Sequence, residues 1–167
     1  ALALGADAVA MGTRFATSQE SPVHANTKKL ITEKSVSDTL YTPNFDGMPC
    51  RIMKTPPGVA AAAKPLSLPR VMMKALQAAR ELGRPLTALV RDVLKQGFAQ
   101  TLQLAYFGAA TLQIRKAVIE GDHVTGVQLI GQVQGLVKDV PSVEVIMQRV
   151  MQEAAAALVE VNSRVRV

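Results

Sequence analysis

The chain is 167 residues long with 49% hydrophobic residues and a formal net charge of +6, so it can bury one sizeable core. Its 19 Lys and Arg residues are spread through apolar segments without forming a basic stripe, and aromatic residues make up only 4%, which argues against nucleic-acid binding. The single cysteine, Cys50, excludes an internal disulfide and a cysteine-rich zinc site and suits a reducing cytoplasm, and no apolar run is long enough to span a membrane.

The opening stretch of the chain predicts the end of a helix, a strand and an anion-binding turn. Gly5 suits the left-handed position just past a helix end, and the small apolar run at residues 8–11 is typical of a strand covered on both faces in a parallel sheet. Gly12 allows a close approach of the backbone to a ligand, and Thr13 offers a hydroxyl and an N–H group to an anion. On these residues alone, an ordinary turn between a strand and a helix remains the alternative.

The wider string ALALGADAVAMGTRF, continued by ATSQES, resembles the last strand of the FMN-dependent TIM barrels of the nitronate monooxygenase family. That family, formerly called 2-nitropropane dioxygenases, includes FMN-dependent enoyl-acyl-carrier-protein reductases. Its Gly-Thr after the eighth strand gives backbone donors to the FMN phosphate. The resemblance therefore implies FMN contacts from Ala10, Met11, Gly12 and Thr13. Family members often carry Gln at the position of Ala10. Main-chain contacts to FMN do not depend on this side chain.

The length of the chain conflicts with a complete barrel, which typically needs about 250 residues. The chain also begins with Ala inside what resembles a helix end. We therefore expect an α/β fold in which a C-terminal fragment of a TIM barrel, its last strand and helix, is followed by a mostly helical subdomain. Residues 1–34 would form the end of the FMN-binding barrel, with a helix at residues 24–34 after Pro22. The first strands and the catalytic histidine region would lie in a missing N-terminal part.

The segment at residues 35–55 predicts a hairpin, because residues 39–42 and 51–54 alternate polar with apolar or β-branched side chains around a stretch rich in turn formers. The family has a comparable progression of residues here. Its members in this chain are Asp38, Thr39, Phe45, Gly47, Pro49 and Arg51. Residues 56–69 are low in complexity and rich in proline, which predicts a linker before a helical subdomain at residues 70–167.

Within residues 70–167 the periodicity predicts mainly helices. The first has one apolar stripe, made of Met72, Ala75, Leu76, Ala79 and Leu82. A second helix is expected after Pro85, and a third at residues 98–120 with a break near Gly108. The last helix, capped by Ser142, should pack on the rest of the domain along its apolar face, and residues 162–167 should fray.

Gly131 and Gly135 are four residues apart, so on a helix they would share one face and let another backbone come close. The surrounding residues also resemble the family's C-terminal pattern, in which a helix folds back towards the flavin. The matching positions are Glu120, Gly121, Asp122, Gly126, Gly131, Gln132, Gly135 and residues 139–142. The resemblance makes Gln132 a candidate for lining the pocket. His123 is expected to be exposed, His24 to begin a helix, and Cys50 to be a small buried hydrophobe.

No constellation of these residues could catalyse a reaction alone: we expect no catalytic residue and no metal site in this chain. The resemblance implies an FMN-dependent enzyme that oxidises a small alkyl nitronate with dioxygen, using a base elsewhere in the protein, so the fragment should be inactive alone. One alternative is an enoyl-acyl-carrier-protein reductase or a nicotinamide-dependent quinone reductase of the same fold. Another is a non-enzymatic helical interaction domain, which FMN binding would exclude.

Overall fold

The computed structural model describes residues 1–64, 67–81, 87, 91 and 98–164. Its helices and strands follow one another as a 3-10 helix Leu2–Leu4, α1 Gly12–Ala16, α2 Ala25–Glu33, β1 Thr39–Thr42, β2 Cys50–Met53, α3 Pro56–Ala63, α4 Leu68–Glu81, α5 Phe98–Val118, a 3-10 helix Gln132–Leu136 and α6 Val143–Arg164. None of the helices in this part of the chain is long and apolar enough to cross a membrane.

The N-terminal segment confirms one expectation and corrects another. Gly5 ends the first 3-10 helix with a φ of 88°, the left-handed conformation that glycine adopts without strain. Residues 8–11, by contrast, belong to no strand, and the Val9 side chain is 55% exposed. A strand needs neighbours for its backbone hydrogen bonds, and β1–β2 is the only sheet among the described residues.

The hairpin is confirmed: β1 and β2 pair antiparallel, with Leu40 opposite Ile52 and Tyr41 opposite Arg51. The Arg51 guanidinium lies over the Tyr41 ring, 5.7 Å from its centroid. Ile52 and Met53 are completely buried. Because successive side chains of a strand point to opposite faces, these two residues lead into two different parts of the core.

The prediction of a linker at residues 56–69 is wrong over most of its length, because α3 occupies Pro56–Ala63. Two prolines begin this helix, where a missing N–H costs nothing, and the Thr55 side chain caps it by accepting a hydrogen bond from the Gly58 N–H. The alanines that follow favour helix. Gly58 packs so closely that an added Cβ would lie 2.3 Å from the Met53 carbonyl oxygen.

Helices α4 and α5 pack against each other. Met72, assigned to the apolar stripe, is 59% exposed. The break predicted near Gly108 is absent, since α5 runs unbroken through it; one glycine weakens a helix by about 1 kcal/mol without ending it. Leu82, the last residue of the predicted stripe, lies outside the described residues. Most of the helix expected after Pro85 also lies outside them.

Helix α6 begins as predicted, with the Val145 N–H donating to Ser142 Oγ at 3.3 Å. Its packing differs from expectation. Ile146 is buried, but Met147, Leu158 and Val161 of the predicted apolar face are 45–60% exposed, because the described part of the chain offers no surface opposite them. The predicted fraying is also wrong for residues 162–164, which stay helical, while residues 165–167 are not described.

The core has two clusters, joined through the adjacent residues Ile52 and Met53. One contains Ile31, Met53, Ile130 and Val137. The other contains Phe45, Ile52, Ala110 and Val127. Both draw on residues 127–137, which therefore run through the middle of the fold.

The segment that holds Gly131 and Gly135 is not an α-helix. Leu129 forms an isolated bridge to Ile52, and only residues 132–136 coil, as a 3-10 helix. Three glycines at positions 126, 131 and 135 disfavour a longer helix. The close backbone approach predicted for Gly135 is nevertheless found, because an added Cβ would lie 2.2 Å from the Val36 amide nitrogen.

Candidate functional site

The turn at Gly12 and Thr13 is open to a ligand. Met11 is extended, with φ −124° and ψ 97°, and α1 begins at Gly12 without a capping hydrogen bond from the Met11 side chain. A helix start presents N–H groups that have no partner inside the helix. Gly12 is exposed, and an added Cβ would meet no atom within 4 Å. An anionic group can therefore approach the N–H groups of this first turn.

The Thr13 side chain is fixed from a distant part of the chain. The Gly131 N–H donates a hydrogen bond to Thr13 Oγ1 at 3.2 Å. Because Oγ1 accepts this bond, the hydroxyl proton is left to donate elsewhere, and it has no acceptor among the residues that the structure describes. The hydroxyl is thus held in place and ready to donate to an anion.

Gln132 directly follows Gly131 and begins the second 3-10 helix, with an exposed side chain. Its backbone is therefore one residue away from the contact with Thr13. The structure brings Gln132 beside the 12–13 turn, although the two are far apart in sequence. Its role in lining a pocket stays a prediction.

Arg14 anchors the turn to the same C-terminal segment. Its Nη1 donates to Asp139 Oδ1 at 2.9 Å, and its Nη2 donates to the Asp139 carbonyl at 2.8 Å and to the Thr17 carbonyl at 3.2 Å. The Asp139 carboxylate also accepts a hydrogen bond from Arg149. The hydrogen bond from Arg149, followed by that from Arg14, lowers the pKa of Asp139. Sequence reasoning missed this anchor, for which an arginine directly after Gly-Thr was the available signal.

Gln134 holds the other end of the segment. It is fully buried, and its Nε2 donates to the Ser35 carbonyl at 3.2 Å and to the Asp38 carbonyl at 2.9 Å. Residues 131–139 are therefore bound to the loop before β1 on one side and to α1 on the other. This segment links the hairpin to the candidate turn.

The remaining candidate side chains have structural surroundings. Burial, followed by the charge of Asp46, raises the pKa of the Cys50 thiol to about 11, so the thiol is a poor nucleophile at neutral pH. His24 begins α2 as predicted, with its Nδ1 accepting a hydrogen bond from the Asn26 N–H.

The expectation that His123 is exposed is wrong. The Thr27 hydroxyl donates to the Ala117 carbonyl at 2.5 Å and so accepts from His123 Nε2 at 2.9 Å. His123 Nδ1 is buried without a partner. Burial lowers the pKa of His123. Across the described ranges, no three His, Cys, Asp or Glu side chains are grouped so that they could hold a metal ion.

Comparison with known proteins gives a matching family model and two curated relatives. A family model described as nitronate monooxygenase matches residues 1–153. The chain is 32% identical over 168 residues to (3aS,4S,5R,7aS)-5-hydroxy-7a-methyl-1-oxo-octahydro-1H-indene-4-carboxyl-CoA dehydrogenase of Rhodococcus jostii, covering 92% of this chain and 45% of that protein. The protein of the same name in Mycobacterium tuberculosis is 30% identical over 173 residues, covering 96% and 48%. The chain thus spans about half the length of these curated relatives.

Two solved structures also match this chain over part of their own length. FabK from Thermotoga maritima matches with a TM-score of 0.66 and 26% identity, covering 98% of this chain and 42% of FabK. The M276A mutant of FabK matches with a TM-score of 0.61 and the same identity, covering 39% of that chain. FabK is a TIM-barrel enzyme, so this chain is similar to part of that fold. The described residues of this chain contain one two-stranded sheet.

Proposed function

The chain belongs to the nitronate monooxygenase family, and from this membership we propose that it forms part of an FMN-dependent oxidoreductase. Residues Ala10, Met11, Gly12 and Thr13 would contribute main-chain donors to the FMN phosphate. The hydrogen bond from the Gly131 N–H to Thr13 Oγ1 carries this proposal, because it fixes a turn whose outer side is open.

The residues present fit a phosphate. The first N–H groups of α1 lack a side-chain cap from Met11, the space over Gly12 is empty, and the Thr13 hydroxyl proton is free to donate. Successive N–H groups and a hydroxyl are donors that commonly bind phosphate at the start of a helix. FMN, when bound, supplies the redox chemistry, whereas the protein supplies binding and orientation.

The side chains of this chain would position the turn rather than react. Arg14 holds α1 against Asp139, and Gly131 holds Thr13, so the donors of the turn stay aimed at one place. Gln132 is proposed to line the substrate pocket next to this turn. The base that handles the substrate proton is proposed to lie in the rest of the enzyme.

For the substrate, we place an acyl thioester of coenzyme A first. Two curated relatives, at 32% and 30% identity, are named as dehydrogenases of a carboxyl-CoA compound. An alkyl nitronate oxidised with dioxygen is the second candidate, and the description of the matching family model supports it. A flavin can oxidise either substrate, and the two reactions give different products.

The test uses the intact enzyme that contains this chain. We expect it to carry FMN and to show the flavin absorption spectrum, and we expect Gly12→Glu to lose FMN because a carboxylate would repel the phosphate. Gly12→Ala is the matched control for folding, since Cβ has room at this position. An intact enzyme without flavin would overturn the proposal. FMN binding of equal affinity in Gly12→Glu would remove the turn from the phosphate site.

The two substrates are separated by adding each to the FMN-loaded enzyme. Anaerobic bleaching of the flavin absorbance by an acyl-CoA would support the first candidate. Consumption of dioxygen with an alkyl nitronate, without bleaching by acyl-CoA, would replace it with the second.

A further inference from the structure

A cavity of about 590 Å³ lies away from the Gly12 and Thr13 turn. It opens between the connection of β1 to β2, the outer side of α3, the start of α4 and the end of α5. Its volume is within the range of small-molecule sites in proteins. None of its described lining residues belongs to the candidate FMN turn.

The rim of this cavity is positively charged. Lys64 and Arg70 both line it, both are exposed, and neither forms an ion pair with a described residue. No carboxylate is among the lining residues that the structure describes. Asp122 reaches the rim through Thr125, but its carboxylate accepts hydrogen bonds from the Val124 N–H and from Thr125. The two cations are therefore available to an anionic ligand.

The floor of the cavity is apolar and well supported. Phe45 is 3% exposed and belongs to the core cluster that includes Ile52, and Ala61 packs against the same cluster. Pro57 adds a rigid apolar wall. The Asn44 amide donates to the Ala62 carbonyl at 2.7 Å, which fixes α3 to the hairpin connection. An apolar floor below a positively charged rim favours a ligand that joins an uncharged arm to an anionic end.

The cavity also lies within reach of the candidate flavin site. Thr125 lines it, and Gly131, six positions further along the chain, contacts Thr13. An extended chain advances at most about 3.5 Å per residue, so these two points are no more than about 21 Å apart. A long ligand anchored in the cavity would therefore extend towards the FMN site.

We propose that this cavity binds the phosphate-bearing arm of an acyl-CoA substrate, with Lys64 and Arg70 contacting its phosphates. This inference rests on the proposed function and adds a substrate-binding site at a distance from the flavin. Phe45, Pro57 and Ala61 would contact the uncharged pantetheine portion. Binding energy gained there would hold the substrate on the enzyme without any contact to the reacting atoms.

The test measures the dissociation constants of coenzyme A, pantetheine and inorganic pyrophosphate for the intact enzyme by calorimetry. We expect coenzyme A to bind, pantetheine to bind at least about tenfold more weakly because it lacks the phosphates, and the double variant Lys64→Gln with Arg70→Gln to weaken coenzyme A by about tenfold. Lys29→Gln, which removes an exposed cation that does not line the cavity, should leave the affinity unchanged.

A second variant tests the apolar arm. Ala60 is exposed and lines the cavity, so Ala60→Trp should block the cavity and weaken coenzyme A without disturbing the core. Unchanged affinity for coenzyme A in both the double variant and Ala60→Trp would overturn the inference. Equal affinity for pyrophosphate and coenzyme A would also overturn it, because the site would then recognise only an anion.

The FMN affinity of every variant separates this inference from the proposed function. An enzyme that binds FMN but not coenzyme A would overturn the acyl-CoA site and leave the flavin role standing. An enzyme without flavin that binds coenzyme A through Lys64 and Arg70 would overturn the flavin role and retain the cavity as the binding site.

Discussion

The Gly131 N–H and Thr13 Oγ1 are 3.2 Å apart and are separated by 118 positions in the sequence. Arg14 reaches Asp139 across a similar separation. The candidate phosphate turn is therefore shaped by the C-terminal part of the chain as much as by its own residues. Loss of either contact should alter the conformation of the turn more than the packing of the core.

The first prediction concerns Asp139. Asp139→Ala removes the partner of both Arg14 and Arg149, and we expect the free energy of unfolding to fall by about 1 kcal/mol, since the carboxylate is partly exposed. FMN binding to the intact enzyme should weaken by about fivefold, because the turn is less fixed. Urea unfolding and an FMN titration measure the two effects.

Glu160→Ala is the control for this variant, since it removes an exposed ion pair with Arg164 near the end of α6. We expect it to change stability by less than about 0.5 kcal/mol and to leave FMN affinity alone. Equal effects of the two variants on FMN affinity would contradict the anchoring role of Asp139.

The second prediction contrasts two glycines. Gly135→Ala should cost about 2–3 kcal/mol, because the new Cβ would lie 2.2 Å from the Val36 amide nitrogen and 2.7 Å from the Ser35 carbonyl carbon. Gly108→Ala should instead stabilise α5 by about 0.5–1 kcal/mol, because its Cβ meets no atom within 4 Å. Thermal unfolding of both variants measures the contrast, and the same sign for both would refute it.

The third prediction concerns pH. Burial lowers the pKa of His123 in the folded chain, with a further contribution from His24 that Asp122 opposes. The unfolded chain then binds more protons at mildly acidic pH, so this stability is complete above pH 6.5 and is lost as the pH falls through the folded pKa.

Replacement of the imidazole tests this dependence. His123→Gln keeps a donor for Thr27 but does not titrate, so its melting temperature should fall less than that of the wild type between pH 7.5 and 5.5. Parallel melting curves for the two proteins across that range would show that His123 is not responsible.

The fourth prediction concerns Cys50. With its pKa raised from 9.0 to about 11, the folded chain has about a hundredfold less thiolate at pH 8 than the unfolded chain. Alkylation by iodoacetamide should therefore be slower by a similar factor in the folded chain than in urea, as followed by mass spectrometry. Equal rates would mean that the thiol is not protected.

Local rules were sufficient for several elements. Gly5, the β1–β2 hairpin and the Ser142 cap were predicted because their conformations follow from neighbouring residues. The same rules failed at Pro56 and Pro57, because two prolines can begin a helix as readily as they end one. They also failed for residues 8–11, whose strand depends on neighbours that the described residues do not supply.

The candidate site divides in the same way. Gly12 and Thr13 were proposed from a short string that resembles a family motif, and their contact with a phosphate stays a prediction. Arg14 and Asp139 were missed, since their pairing depends on how segments 125 positions apart meet in space. His123 was taken as exposed because Thr27, its partner, lies 96 positions away in the sequence.

The bonds from Gly131 and Asp139 to the first helix also set an order of events during synthesis. A ribosome would have to release residues 131–139 before Thr13 and Arg14 could find their partners, so the turn stays unformed while most of this chain is being made. Long-range contacts of this kind close slowly, because the intervening loop must first be ordered. Capture of a phosphate by this turn would then be a late step, one that follows formation of the β1–β2 hairpin.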